Sequence, residues 1–442
     1  ESGELSPEQQ DLRVHLLELA AASAGRLGQR AHERELLDTL ADLGLDADSD
    51  PTRATRIYLL HARHARATSA FGLAKGLLKN ALDFARRAGR RRLEAEAQVL
   101  LALTLADVGD LDGAEEAGEE ARSIAEGFAS DDPTDLAAAH LALGMVAVLS
   151  GRPDRALHQV DRALSLGRRS KKGLPARLKA ASHLMRARTW RDLGRPARAR
   201  GSALKALEIA AHAHERVLEV EATARLGGLL VDAGKTEEAE ARLRDALRLA
   251  QEIEDRRGAT LARLYLGTLI AEEAEGQGAD ELARAARDAG ELRLYRSQAM
   301  ALAIEARVHL IRAGLSGRGE ATAAAQPGAG ARGASRGPSS HASIVAPEAQ
   351  AADQRSAHAH ELLERHGAEL RDGIVIAGTR ALVLHHLGRD AEAQALVRDL
   401  RKVMRRASQA IEDTVTRRLH RSATTSLLAQ VLSPEGPIFP RG

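Results

Sequence analysis

A fixed register of small side chains around a turn residue constrains this chain more than any other feature of its sequence. Gly109 is preceded seven residues earlier by Ala102 and followed five and twelve residues later by Ala114 and Ala121. The pattern recurs at three further turn glycines and, more loosely, at three other turns: Gly151, Gly194 and Gly234, then Ser69, Gly278 and Gly388. A turn glycine can end a helix in the left-handed conformation, and small residues let two helices touch without overpacking. The register therefore predicts stacked pairs of antiparallel helices.

The composition supports an all-α fold. Hydrophobic residues make up 44% of the chain but aromatic residues only 2%, so the apolar content is mostly alanine and leucine. Both are strong helix formers, whereas sheets favour β-branched and aromatic residues. The chain has no cysteine, which excludes disulfides, thiolate metal sites and a cysteine nucleophile.

The register resembles the tetratricopeptide repeat over most of residues 50–407. The family's usual period is about 34 residues, whereas the four turn glycines here lie 42, 43 and 40 residues apart. The chain therefore resembles the longer-period members of the family. The large aromatic residue common early in the first helix of each repeat is replaced by Gln98, His140, His183 and Thr223. The resemblance implies an α-solenoid, a right-handed superhelix of helix pairs.

Changes in composition divide the chain into five regions. We predict an N-terminal helical pair at residues 1–50, a repeat array at 51–314, a disordered insert at 315–348, further repeat helices at 349–407, and a capping helix with a tail at 408–442. The insert consists mainly of glycine, alanine, serine, proline and arginine. Such a segment cannot bury enough apolar surface to offset its chain entropy.

The sequence offers no reaction centre, so we expect no enzyme activity, no cofactor and no metal. Gly328, Gly330 and Gly333 match a dinucleotide-binding pattern, but they lie in the predicted insert without the required strand and helix. The histidines lack complete metal-ligand spacing. The formal charge is only +2 with interleaved signs, which does not indicate nucleic acid as a partner.

The expected location is the cytoplasm. The longest apolar stretch, residues 136–149, is too short to cross a membrane, and no signal peptide precedes the repeats. The chain begins with Glu1, so we expect a piece of a longer protein. The repeat region resembles those that follow kinase or ATPase domains in multidomain bacterial regulators, which implies a fused or associated domain of that kind.

The resemblance also places the first helix of each pair along the concave face of the superhelix. The candidate partner-groove residues are Arg63, Arg66, Leu103, Asp107, Leu141, Met145, Leu149, Arg188, Arg191, Asp192, Asp232 and His385. Their apolar centre lies between arginines. Such a groove suits a peptide that carries an acidic group beside an apolar anchor.

Two functions follow as hypotheses. The first is a protein-interaction scaffold or regulatory module that binds peptides or domains within a larger bacterial signalling protein. The alternative is a ligand- or peptide-sensing domain that controls a transcription activator, which predicts a compact, closed array.

Overall fold

The computed structural model describes residues 6–43, 50–129, 132–170, 172–273, 278–314, 339–367, 369–411 and 414–433. Within these ranges the chain forms nineteen α-helices and no strand. The helices are α1 Pro7–Leu27, α2 Arg30–Asp42, α3 Pro51–Ala67, α4 Phe71–Arg87, α5 Arg91–Val108, α6 Leu111–Glu126, α7 Thr134–Leu149, α8 Pro153–Arg169, α9 Ala176–Asp192, α10 Pro196–His212, α11 Arg216–Asp232, α12 Thr236–Glu252, α13 Arg256–Glu273, α14 Ala279–Glu291, α15 Tyr295–Arg312, α16 Ser339–His366, α17 Leu370–His386, α18 Asp390–Gln409 and α19 Thr414–Leu432.

The predicted all-α repeat architecture is confirmed. Gly109 ends α5 with a φ of +91°, and Gly151, Gly194 and Gly234 also have positive φ. The alanines that follow these glycines at the repeating offsets have 0% exposure: Ala114, Ala121, Ala156, Ala163, Ala199, Ala206, Ala239 and Ala246. These alanines are buried because consecutive helices pack against each other at those positions.

The glycines that replace alanine in the first helix of some pairs show why the register requires small residues. A Cβ added at Gly227 would lie 2.6 Å from Leu243 Cδ2 in the paired helix. At Gly144 it would lie 3.3 Å from Val160 Cγ2. A larger side chain at either position would force the two helices of the pair apart.

One of the looser copies is shifted. In the pair that follows Gly278, Ala283 is only half-buried, whereas Leu282 and Ala289 have 0% exposure. The buried positions of α14 therefore lie one residue earlier than the register predicts. The turn glycine also has a different role in this pair, because Gly278 is the N-cap residue of α14 and packs closely on α13.

The C-terminal region differs in its boundaries from the sequence-based prediction. Most of the predicted insert lies outside the described residues, but α16 begins at Ser339 and so includes the end of the insert. The helix α18 continues to Gln409, and the last helix, α19, begins at Thr414 rather than near residue 408. Alanine and serine are compatible with a helix when tertiary contacts support it.

The array closes on itself, since its second half contacts its first. Arg257 in α13 donates to the carbonyl of Arg66 at 3.3 Å, and Arg296 in α15 donates to the carbonyl of Ala106 at 3.0 Å. Each of these partners is about 190 residues away along the chain. The backbone of His366 also lies so close to Gly109 that a Cβ there would be 2.9 Å from its carbonyl oxygen.

Candidate functional site

Several of the predicted groove residues lie where these distant helices meet. Asp107, at the end of α5, accepts from Arg66 Nε at 2.8 Å and lies 3.7 Å from Arg257 Nη2. A single carboxylate therefore serves two guanidinium groups, one from each half of the array. Arg257 also stands over the ring of Phe71, with 5.9 Å between the guanidinium carbon and the ring centroid.

A second shared carboxylate lies at the end of α11. Arg191 binds Asp232 through two nitrogens, at 2.7 and 3.2 Å, and Arg371 binds the same carboxylate at 3.2 Å. The Asp232 side chain is only 2% exposed. Burial opposes the charge of Arg191, but Asp232 outweighs it and raises the pKa of the guanidinium.

The first turn of α17 supplies another acidic group. Glu369, the N-cap residue of α17, pairs with Arg188 in α9, and both side chains are largely buried. Arg188 Nη1 also lies 3.2 Å from Met145 Sδ. Burial raises the pKa of Glu369, but the neighbouring arginines, with Arg188 foremost, together outweigh this effect and leave the pKa below its ordinary value.

Two further carboxyl groups lie beside this pair. Burial and the Glu369 and Asp372 carboxylates raise the pKa of Asp192 well above its ordinary value. Burial and Glu369 raise the pKa of Asp372 to about 6. We call this set the interior charge cluster; it comprises Arg188, Arg191, Asp192, Asp232, Glu369, Arg371 and Asp372.

Arg296 lies next to this cluster but differs from its other arginines. It forms no ion pair within the described part of the chain, and its Nη2 donates to the carbonyl of Ala106 at 3.0 Å. Burial lowers the pKa of Arg296 by more than the nearby Glu369 carboxylate raises it. Arg296 is therefore a buried guanidinium that is available to an additional carboxylate.

The other candidate groove residues lie between neighbouring repeats or at the surface. Leu149 is buried, whereas Leu103, Leu141 and Met145 are half-buried and pack against the cores of adjacent pairs. Arg63 is exposed and pairs with Glu96.

His385 is separate from the interior. It lies at the exposed end of α17, where its Nδ1 is 2.5 Å from Asp390 Oδ1.

Sequence reasoning missed five residues of the interior: Arg257, Arg296, Glu369, Arg371 and Asp372. All five come from the second half of the array, and the repeat register gives no indication that they would face the first half. Only the closure of the array brings them to α5, α9 and α11.

The interior is filled rather than hollow. A cavity of about 20 Å³ lies between Arg191, Asp192, Arg371 and the C-terminal helix, which is room for about one water molecule. Any larger ligand would have to displace contacts made by the chain itself.

The described residues lack two other kinds of site. Across these ranges no group of three or more histidine, aspartate or glutamate side chains could hold a metal ion. Nor does any helix in them have the length and apolar character needed to span a bilayer.

The helix pairs, the left-handed turns and the buried alanine register define an α-solenoid. A family model described as "Tetratricopeptide repeat" matches residues 93–169, which cover almost all of α5 to α8. Residues 93–169 thus match the tetratricopeptide repeat, and the other described helix pairs share the same architecture. A comparison with curated protein sequences gave no match.

Solved structures with the same fold include two Rap proteins. A Rap protein complexed with competence and sporulation factor is 14% identical, with a TM-score of 0.56, over 90% of this chain and 99% of the other. The Rap conjugation gene regulator of plasmid pLS20, in complex with the Phr* peptide, is also 14% identical, with a TM-score of 0.52, over 90% of this chain and 97% of the other. At this identity the similarity establishes the fold.

Proposed function

We propose that this protein is a non-catalytic regulatory module that binds a peptide segment inside the closed array. The recognised segment carries an acidic side chain beside an apolar anchor. Its carboxylate binds Arg188 and Arg296, in the place that Glu369 occupies in the closed array. The observation that carries the proposal is Arg296, a buried guanidinium at the closed interior that forms no ion pair within the described residues.

The charge arrangement supports an acidic ligand. Arg296 has no ion pair within the described residues, and Asp107 and Asp232 each contact two arginines with a single negative charge. A carboxylate that binds such an unpaired buried guanidinium forms charge-assisted hydrogen bonds, which are about twice as strong as neutral ones. The half-buried Met145, in contact with Arg188, provides apolar surface next to the same position.

The closed form favours a sensor over an open scaffold. In a scaffold the concave face would be accessible, whereas here contacts between residues about 190 positions apart cover it. A ligand that replaces these contacts changes the relation between the two halves of the array, and that change can be passed to an attached domain. The Rap regulator complexed with the Phr* peptide shares this fold. In this proposal the module is attached to a signalling or transcription-activating domain and acts in the cytoplasm.

The test is selection from a random dodecapeptide library displayed on phage, with the full chain as bait. We expect enrichment of aspartate or glutamate beside leucine, isoleucine or phenylalanine. A selected peptide, fluorescently labelled, should bind the Arg188→Gln variant at least about tenfold more weakly, because hydrogen bonds to charged groups contribute about 1.5–3 kcal/mol. The Glu369→Gln variant should bind it more tightly, since the internal competitor is weakened.

Arg244→Gln provides the matched control. Arg244 pairs with Glu240 on the surface of α12 and its side chain is 68% exposed, so its removal should leave binding unchanged. Recovery of peptides without acidic enrichment would contradict the proposal. So would equal affinity of the selected peptide for the wild type and for Arg188→Gln.

A further inference from the structure

The last helix pair, α17–α18, has an incompletely covered face whose residues are distinct from those of the interior charge cluster. In each upstream pair from α3–α4 to α11–α12, the next helix packs more extensively on the second helix of the pair than on the first. At the C-terminal end this order is reversed, since α19 packs more on α17 than on α18. One face of α18 is consequently left open.

The repeat register identifies the affected position. The residue nine positions after the turn residue is buried in the five pairs from α3–α4 to α11–α12: Leu78, Gly118, Val160, Ala203 and Leu243. The equivalent residue of the last pair is Val397, which is only half-buried. Val397 packs on the core around Ala381 but has no helix covering its other side in the described part of the chain.

The open face forms a groove of about 690 Å³ between α17, α18 and the end of α19. Its apolar floor is formed by Ala381, Leu382, Ala393, Val397 and Leu432. We call it the C-terminal groove. Its dimensions and helical walls match the mode in which an amphipathic helix lays its apolar side into a groove.

The rim of the C-terminal groove determines the charge of its occupant. Arg398 and Arg401 line the groove, both are exposed, and neither forms an ion pair anywhere in the described ranges. The one carboxylate in the lining, Asp390, is already bound to His385 at the other end. Attraction to the helix dipole concerns the last turn of a helix, and these two arginines lie before the last turn of α18. The dipole of α18 therefore does not explain why arginines occupy these two positions.

From this geometry we infer that the C-terminal groove binds an amphipathic acidic helix of a partner protein. The helix takes the place over α18 that α19 leaves uncovered. Its apolar residues contact Val397 and Leu432. Carboxylates one turn apart bind Arg398 and Arg401, whose spacing of three residues places them on one side of α18.

The experiment measures fluorescence polarisation with two synthetic sixteen-residue helices. Both carry leucines at helical spacing on one face, and they differ only in flanking residues, which are glutamates in one peptide and lysines in the other. We expect the glutamate peptide to bind at least about tenfold more tightly than the lysine peptide, because charge complementarity sets partner choice at such rims. The double variant Arg398→Glu/Arg401→Glu should reverse this preference.

The control is Arg418→Glu/Arg421→Glu, which has the same spacing and charge change on the exposed surface of α19. It should leave the preference for the glutamate peptide intact. A second variant, Val397→Gln, should weaken binding of the glutamate peptide at least about fivefold, which a purely electrostatic surface would not show. Circular dichroism checks that each variant retains its helices.

Three outcomes would overturn the inference. They are a glutamate peptide that does not bind, an equal loss of binding in the α19 control, and an unchanged affinity in Val397→Gln. Tighter binding of a twenty-nucleotide DNA duplex that depends on Arg398 and Arg401 would assign the surface to nucleic acid instead. Because these residues lie outside the interior charge cluster, the result is independent of the proposed peptide site.

Discussion

The ion pair between Arg188 and Glu369 joins two parts of the array that are 181 residues apart in sequence. The two side chains are 11% and 16% exposed. If one partner of a buried pair is removed, the other is left as an uncompensated buried charge, at a cost of about 3–5 kcal/mol. If both are replaced by neutral groups, the cost is much smaller, because no buried charge remains. We therefore predict strong coupling between substitutions at these positions.

The perturbation is a double-mutant cycle with Arg188→Met, Glu369→Gln and the combined variant. Methionine approximates the length of arginine and contacts Met145 without carrying a charge. Each single substitution should destabilise the contact between α9 and α17 by about 3 kcal/mol or more, whereas the combined variant should lose about 1–2 kcal/mol. The coupling energy is expected to exceed about 2 kcal/mol.

Hydrogen exchange measured by mass spectrometry is the appropriate assay, because repeat proteins open locally and a single global unfolding free energy can hide the effect. A loss of 3 kcal/mol corresponds to roughly a hundredfold faster exchange of the amides in the first turns of α17. In the combined variant the acceleration should be roughly tenfold. If the combined variant lost as much protection as the two single variants together, the two side chains would not be coupled and the reasoning would be wrong.

Three further predictions follow from single positions. Ala199→Leu should lower the unfolding free energy by about 1–3 kcal/mol through overpacking, whereas Ala197→Leu, two residues away and exposed, should change the melting temperature little. Gly109→Ala should cost about 1–2 kcal/mol for its left-handed conformation plus a clash with the backbone of α16. Gly388 has a φ of +74° and open space around it. In urea unfolding, Gly388→Ala should therefore show only the cost of the left-handed conformation, without the cost of a clash. Asp372 has a pKa of about 6 in the folded protein and an ordinary value of 3.8, so the folded state holds its proton more tightly. Its contribution to stability is present at low pH and is lost as the pH rises from about 4 to about 6. The Asp372→Asn variant should therefore gain about 1–2 kcal/mol over the wild type across that range, in unfolding curves measured at several pH values; an equal difference at pH 4 and pH 7 would contradict the shift.

Much of the fold could be predicted from local sequence pattern. The positions of the turn glycines and of alanines such as Ala114 and Ala156 follow from contacts between helices adjacent in the chain. In each repeat two helices come into close contact at the same positions. Small residues therefore recur at those positions, and the recurrence is visible in the sequence as a register. The looser copy at Gly278 was misplaced by one residue because that glycine begins a helix instead of ending one.

The candidate site could be predicted less completely, because its residues come together only where the two halves of the array are in contact. The sequence determined that Arg188 and Asp232 lie near the ends of first helices, and hence that they could face a common interior. Only the tertiary structure decided that Glu369 and Arg371 would meet them there, because small rotations between successive repeats add up over the whole array. No local pattern records that sum, so contacts between residues 139 to 191 positions apart could not be read from the repeats.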